Sequence, residues 1–236
     1  MTRSLDRLGE IAIAGGHRTL AEKAFDALHD AILTGRLSPG ERLPIEDLAE
    51  VLDMSAMPIR EAVRRLDAAG LVENIPHRGA RVTELSIDDL AEVYEARLAL
   101  EPLTVERAAA HFTEEQATIA ADRLEALNKL PDDNSTATWA AHTAFHFALY
   151  DAAGSNWLLR LIRPLWETSE RYRLAAPMKR KLDARRGEHE VILKACIDHD
   201  GEKAALALHD HLAMTANLVA KAMGGDELFK PVGAFK

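Results

Sequence analysis

His142 and His146 stand four residues apart in His142-Thr143-Ala144-Phe145-His146. On a helix both imidazoles leave one face about a turn apart, near enough to share a metal ion. His189 and His211 belong to a second pattern, in which Gly201 divides two helical stretches, with His189 12 residues before it and His211 10 residues after it. If those stretches fold back on each other as a hairpin, the two rings face each other at similar height. A set of imidazoles favours Zn²⁺, with Ni²⁺ next and Cu²⁺ also compatible, over Mg²⁺ or Mn²⁺. A lone buried histidine is more often satisfied by a hydrogen bond, and His17, His29, His111, His199 and His209 are assigned to surface or local bonding. Hydrolysis at such a metal would call for His-Glu-x-x-His. Thr143 occupies the place of the general base, and Leu193 stands where a second histidine would follow His189-Glu190. No nucleophile elbow or phosphate loop is evident either, so the expected chemistry is binding without turnover.

A second set of reactive side chains lies between Met54 and Val82, where five arginines face three acids although the whole chain carries a net charge of −9. The overall acidity opposes indiscriminate nucleic-acid binding, so any DNA contact must come from a local patch and weaken steeply with salt. Any one of these arginines alone would be read as part of a solvated helix face. Their arrangement on consecutive elements reverses that reading. Thr19 is a plausible N-cap for a helix bearing Leu20, Ala24, Leu28, Ile32 and Leu33, stopped by Gly35. After the turn Leu37-Ser38-Pro39-Gly40, Pro44 sits just inside a second helix. Ser55 can cap a third helix, 55–69, that buries Ile59, Val63 and Leu66 and presents Arg60 and Arg64 on its other face. Two alternating stretches, Leu71–Ile75 and Ala80–Thr83, flank Pro76-His77-Arg78-Gly79, which has turn chemistry and a basic tip. A helix-turn-helix followed by a hairpin wing is a DNA-reading device, with 55–69 as the helix that enters the major groove.

Length and composition agree with two domains. Thr83-Glu84-Leu85-Ser86 is a short polar joint between the winged region and a region that reads as helix throughout its length. The division expected is an arm at 1–18, a winged helix-turn-helix at 19–84, an all-α antiparallel bundle at 85–225 and a tail at 226–236, loose or packed against a neighbour. Six helices are predicted: from Ser86 to Ala110, from the capping box at Thr113 to Leu130, and over about 136–153, 157–174, 181–199 and 202–223. The fold class is thus mainly α with one small β-hairpin wing. The lone Cys196 excludes an internal disulfide, no apolar run approaches ~20 residues, and the charged N-terminus does not read as a signal peptide, so a cytoplasmic location is expected.

The first region resembles the GntR family of bacterial regulators, through Ile32-Leu33-Thr34-Gly35-Arg36-Leu37-Ser38-Pro39-Gly40-Glu41, Leu48-Ala49-Glu50, Pro58-Ile59-Arg60-Glu61-Ala62 and Gly70-Leu71-Val72. By that resemblance Arg60 is the base-contacting arginine, and Ser55, Arg64, His77, Arg78 and Gly79 lie at phosphates or groove edges. Many members carry a basic residue after the capping serine; here it is Ala56, which bears on the operator sequence recognised. The second region is similar to the FCD ligand-binding domain of the FadR subfamily, through Tyr94-Glu95-Ala96-Arg97-Leu98-Ala99-Leu100-Glu101, Phe145-His146-Phe147-Ala148-Leu149, Ala152-Ala153-Gly154-Ser155-Asn156, Glu188-His189 and His211-Leu212. Many FCD domains hold a divalent metal with an aspartate and three histidines and bind a small carboxylate against it. The matching positions are His142, His146, His189 and His211, with histidine replacing the aspartate. Four neutral ligands leave the metal its full charge and strengthen its pull on an anion; a site of three histidines plus water, with His142 swung out, is the alternative. Arg97 is a second anchor for that anion or an i, i+4 partner of Glu101, and Asn156 is a further effector-site position. The resemblance implies a homodimer reading an inverted repeat, and the two-domain layout points to ligand-linked repression, in which the ligand weakens or strengthens operator binding and relief of repression is the expected sign. A metal-free bundle sensing a more apolar acyl ligand is the competing reading, and a metal-dependent hydrolase fused to a DNA-binding domain is a remote one.

Overall fold

The computed structural model describes residues 19–75, 78–131, 135–176 and 182–233; the expected arm at 1–18 and His77 at the wing tip lie outside them. The chain divides into two compact units after Ser86.

In the first unit, α1 (Leu20–Leu33) opens with a reciprocal capping box between Thr19 and Glu22, which satisfies two of the free N–H groups at the helix start. Helices α2 (Ile45–Val51) and α3 (Ala56–Ala68) follow, joined through Asp53, whose φ of 51° is one that aspartate tolerates in a tight turn. Pro44, expected just inside α2, stands instead at its N-cap with extended backbone (ψ 114°); its ring-fixed φ suits that position equally well. The α3 residues Ile59, Ala62, Val63 and Leu66 recur at helical spacing and are buried with Leu28, Leu37, Leu43, Leu48 and Leu71 in one core. The wing strands are β2 (Val72–Ile75) and β3 (Gly79–Val82), and β3 is also paired with a short strand β1 (Arg42–Leu43), giving an antiparallel sheet of order β1-β3-β2. Strand β1 was not expected, because two residues are too few to show an alternating pattern. It braces the wing from its other edge, with Arg42 opposite Arg81.

The second unit consists, among its described residues, of α4 (Ile87–Ala109), α5 (Glu114–Asn128), α6 (Thr136–Asp151), α7 (Asn156–Ala175), α8 (Leu182–Ile197) and α9 (Gly201–Ala222). Thr113 and Gln116 form the capping box expected for α5. The hairpin of α8 and α9 is held against the end of α4 at its turn. A Cβ on Gly201 would lie 3.0 Å from the Glu106 carbonyl oxygen, and His199 Nδ1 is 2.9 Å from the Ala109 carbonyl. The carbonyl can only accept, so His199 Nδ1 carries the proton. The described part of the tail, to residue 233, packs on its own chain. Asn217 binds the backbone of Leu228 and Phe229, and the buried Asp210 accepts the N–H groups of Val232 and, at 2.7 Å, Gly233. Two polar side chains of α9 thus lay the tail back along that helix. No helix among the described residues is long and apolar enough to cross a membrane.

Candidate functional site

His142 and His146 share one face of α6, and the α8–α9 hairpin delivers His189 and His211 to the same point. All four are buried, and one ligand atom from each lies within 4.8 Å of every other. The Nε2 atoms of His146 and His189 are 3.3 Å apart. Two nitrogens each ~2.0–2.1 Å from one tetrahedral zinc would be separated by ~3.3–3.4 Å, so this pair already has the spacing of two ligands on one ion.

The surrounding hydrogen bonds fix the tautomers. Tyr150 donates to Glu101 Oε2 at 2.6 Å and therefore accepts from His146 Nδ1 at 3.2 Å. That leaves the His146 lone pair on Nε2, facing His189. His211 Nδ1 lies 2.9 Å from Glu188 Oε2, and a carboxylate accepts, so the nitrogen that keeps the lone pair is again Nε2. A carboxylate behind the imidazole, direct or through a tyrosine, is the arrangement that orients histidines on metals and raises their basicity. His142 differs. Arg173 Nη1, which can only donate, is 3.1 Å from His142 Nδ1, so the one lone pair of this neutral ring is engaged by a cation. For His142 to bind metal through Nδ1, Arg173 must move off it. With Arg173 in place the site offers three imidazoles and an N–H from His142 Nε2.

Helical spacing explains which other side chains reach this point. Tyr94, Arg97 and Glu101 form one stripe of α4, and Trp166, Glu170 and Arg173 form one stripe of α7. Arg97 gives Nε to Glu101 at 2.5 Å, Nη2 to the same carboxylate at 3.1 Å and Nη1 to Ser169 at 2.7 Å. Burial works against its charge, but Glu101, with Tyr94 and Tyr150, together outweighs that penalty and raises the pKa of the guanidinium. Burial, then the Arg173 charge and the other rings, hold His142 well below the ordinary imidazole range; burial, then His189 and His211, do the same for His146. Both are therefore neutral at neutral pH, the protonation state that a metal ligand requires. Arg173, Glu170 and Ser169 escaped the sequence reading, since charges inside a helical pattern look like a solvated face. The i, i+4, i+7 spacing from Trp166 to Glu170 and on to Arg173 is the signal that could have found them. Asn156 is exposed as the first residue of α7. Ten residues separate it from Trp166, ~15 Å along a helix, so the structure does not bring it to the histidines.

In the first unit Arg60 and Arg64 point outward from α3, and Ser55 occupies its N-cap without making a side-chain cap bond. Arg60 is 3.1 Å from Glu46 of α2, and Arg64 pairs with Glu61 at 2.7 Å. Arg78 and Gly79 are exposed in the wing, where Gly79 has φ of 80° and open space around its Cα. Arg81 is drawn into pairs with Glu73 and Glu84.

Residues 20–82 match the model of the bacterial regulatory proteins of the gntR family, and residues 92–214 match that of the FCD domain. A probable D-xylose utilization operon transcriptional repressor of Paenarthrobacter nicotinovorans is 32% identical over 208 residues, covering 88% of this chain and 92% of that protein. The HTH-type transcriptional repressor GlaR of Escherichia coli is 26% identical, covering 84% and 95%. Among solved structures, E. coli McbR/YncC superposes with a TM-score of 0.74 at 23% identity, over 87% of this chain and 99% of that one, which is a likeness of fold. The first two are named as transcriptional repressors. The chain belongs to the GntR family of bacterial transcription regulators, as a DNA-binding winged helix-turn-helix joined to an FCD domain.

Proposed function

We propose that this regulator is a repressor whose operator affinity is set by a small carboxylate bound at a metal ion in the second unit. The observation that carries the reading is the group of four buried histidines with ligand atoms within 4.8 Å. The all-nitrogen donor set suits Zn²⁺, or Ni²⁺ next. His146, His189 and His211 hold the ion, and His142 joins them when Arg173 releases it. The ion lends positive charge to the buried shell, to which Arg97 adds its own, and a small anion answers it. The ionised and hydrogen-bonding groups packed around the histidines argue against a purely apolar acyl pocket.

On the DNA side, Arg60 reads a base edge in the major groove, where a guanidinium can fork onto guanine O6 and N7. Ser55, Arg64, Arg78 and the Gly79 backbone hold phosphates or groove edges. Two copies of the chain bind the two halves of an inverted repeat. Ligand binding shifts the bundle and with it the separation of the two recognition helices. The coupling is no larger than the ligand's differential affinity for the two arrangements, ~1–3 kcal/mol in such systems. A protein of this kind acts in the cytoplasm, beside the chromosome.

Elemental analysis of untagged protein purified without chelator tests the sensor half. About one zinc or nickel per chain, lost in His146→Ala and His189→Ala, is expected. Absence of metal in the unsubstituted protein overturns it.

A further inference from the structure

Four polar side-chain atoms in the second unit are buried without a hydrogen-bond partner among the described residues; one is Arg186 Nε, and the other three, the Tyr94 hydroxyl, Glu170 Oε2 and Arg173 Nε, belong to one neighbourhood. Tyr94 is wholly buried, and the charges it feels are those of Arg97, Arg173, Glu170 and Glu101. Glu170 is itself buried and holds Arg173 through its other oxygen at 2.6 Å, and Arg173 in turn touches His142. A buried polar group left unpaired is costly, and polar interiors are otherwise satisfied. Three such atoms gathered at the edge of the histidine cluster, two of them on one ion pair, mark a subsite shaped for a polar guest.

The three atoms specify what that guest carries. Arg173 Nε–H can only donate, so it requires an acceptor. Glu170 Oε2, as a carboxylate oxygen, accepts and requires a donor. The Tyr94 hydroxyl can serve either. We infer that Tyr94, Glu170 and Arg173 form a specificity subsite that selects hydroxylated carboxylates over plain ones. The carboxylate of the effector meets Arg173 and the metal side of the site, and a neighbouring hydroxyl donates to Glu170 Oε2. This inference rests on the carboxylate reading above and narrows it. A hydroxyl is favoured over an ammonium as the donor. The negative charge of Glu170 is already matched by Arg173, and a further cation beside Arg97, Arg173 and a divalent ion would be repelled.

The test is calorimetric titration of the zinc-loaded full chain with matched pairs of acids: glycolate and acetate, lactate and propionate, gluconate and hexanoate, mandelate and phenylacetate, with alanine as the amine counterpart of lactate. At least one hydroxy acid is expected to bind tenfold or more tightly than its partner. Sites that hydrogen-bond a hydroxyl reject the analogue lacking it. Tyr94→Phe should remove about tenfold of that preference while the thermal midpoint of the ligand-free protein stays the same or rises, because a hydroxyl with no partner is being removed. A tyrosine that merely braces the fold would lower the midpoint instead. Plain and hydroxylated acids bound equally, alanine bound as tightly as lactate, or a Tyr94→Phe protein with its preference intact each overturn the subsite and leave the carboxylate sensor standing. Zinc-loaded protein that binds none of the acids overturns both.

Discussion

Arg60–Glu46 and Arg97–Glu101 are the same chemical pair in opposite surroundings. The first spans α3 and α2 at 3.1 Å with side chains 59% and 73% exposed; the second lies along α4 at 2.5 Å with side chains 3% and 0% exposed. An exposed pair contributes ~0–1 kcal/mol, so Arg60 can leave Glu46 for a phosphate or a guanine at little cost. A buried pair contributes little net stability against an apolar replacement, but breaking it by removing one partner costs ~3–5 kcal/mol. The DNA-binding unit therefore keeps its charges exchangeable, whereas the helical second unit locks its charges in place, with Arg97 holding Glu101, Glu101 holding Tyr150 and Tyr150 holding His146.

The largest expected effect comes from breaking the buried pair. Arg97→Met should destabilise the second unit by about 3–5 kcal/mol in urea unfolding, since it strands the Glu101 carboxylate. Adding Glu101→Leu to it should recover most of that loss. A single Arg97→Met cost below ~1 kcal/mol would erase the contrast between the two pairs.

Acid should find the second unit next. In metal-stripped protein His142 and His146 stay neutral well below the ordinary imidazole range, whereas in the unfolded chain they take up protons near pH 6.5. The unfolded state then binds more protons than the folded one, so stability present above pH 6.5 is lost as the pH falls toward the folded values. For the two rings together the loss from pH 6.5 to 5.5 is about 2 kcal/mol, measurable as a fall in the urea midpoint. His146→Phe should flatten part of that limb. A stability that stays level over this interval would mean that the rings are as easily protonated folded as unfolded.

The same contrast explains what could be read before the fold was known. The helices of both units announce themselves through apolar periodicity and through capping residues such as Thr19 and Thr113, which are local signals. The histidines were legible because i, i+4 spacing and a hairpin about Gly201 are also nearly local. What stayed hidden depends on neighbours distant in the chain. Strand β1 exists because β3 offers it an edge. The tail is ordered by Asp210 and Asn217, whose partners lie 11–23 residues away. Glu170 is buried and Arg173 largely covered only because α7 turns that stripe toward α4 and α6, and a charged residue carries no mark of burial in its own sequence.

Arg60→Ala should leave stability nearly unchanged and lower affinity for a duplex selected from random DNA by about 1–3 kcal/mol, with selectivity lost at one position of each half-site. Equal weakening at every sequence would instead make Arg60 a phosphate contact. The smallest change sharpens the comparison most. Glu46→Ala removes the carboxylate that Arg60 must leave on binding and takes a negative charge away from the DNA-facing helices. Thermal stability should shift by less than ~0.5 kcal/mol, as for surface substitutions generally. Operator affinity should rise two- to threefold, roughly 0.5 kcal/mol, at low salt, and this gain should fade as added salt screens the lost repulsion. Weaker binding in this variant would mean that Glu46 positions Arg60 for the groove, and the exposed pair would then be no more exchangeable than the buried one.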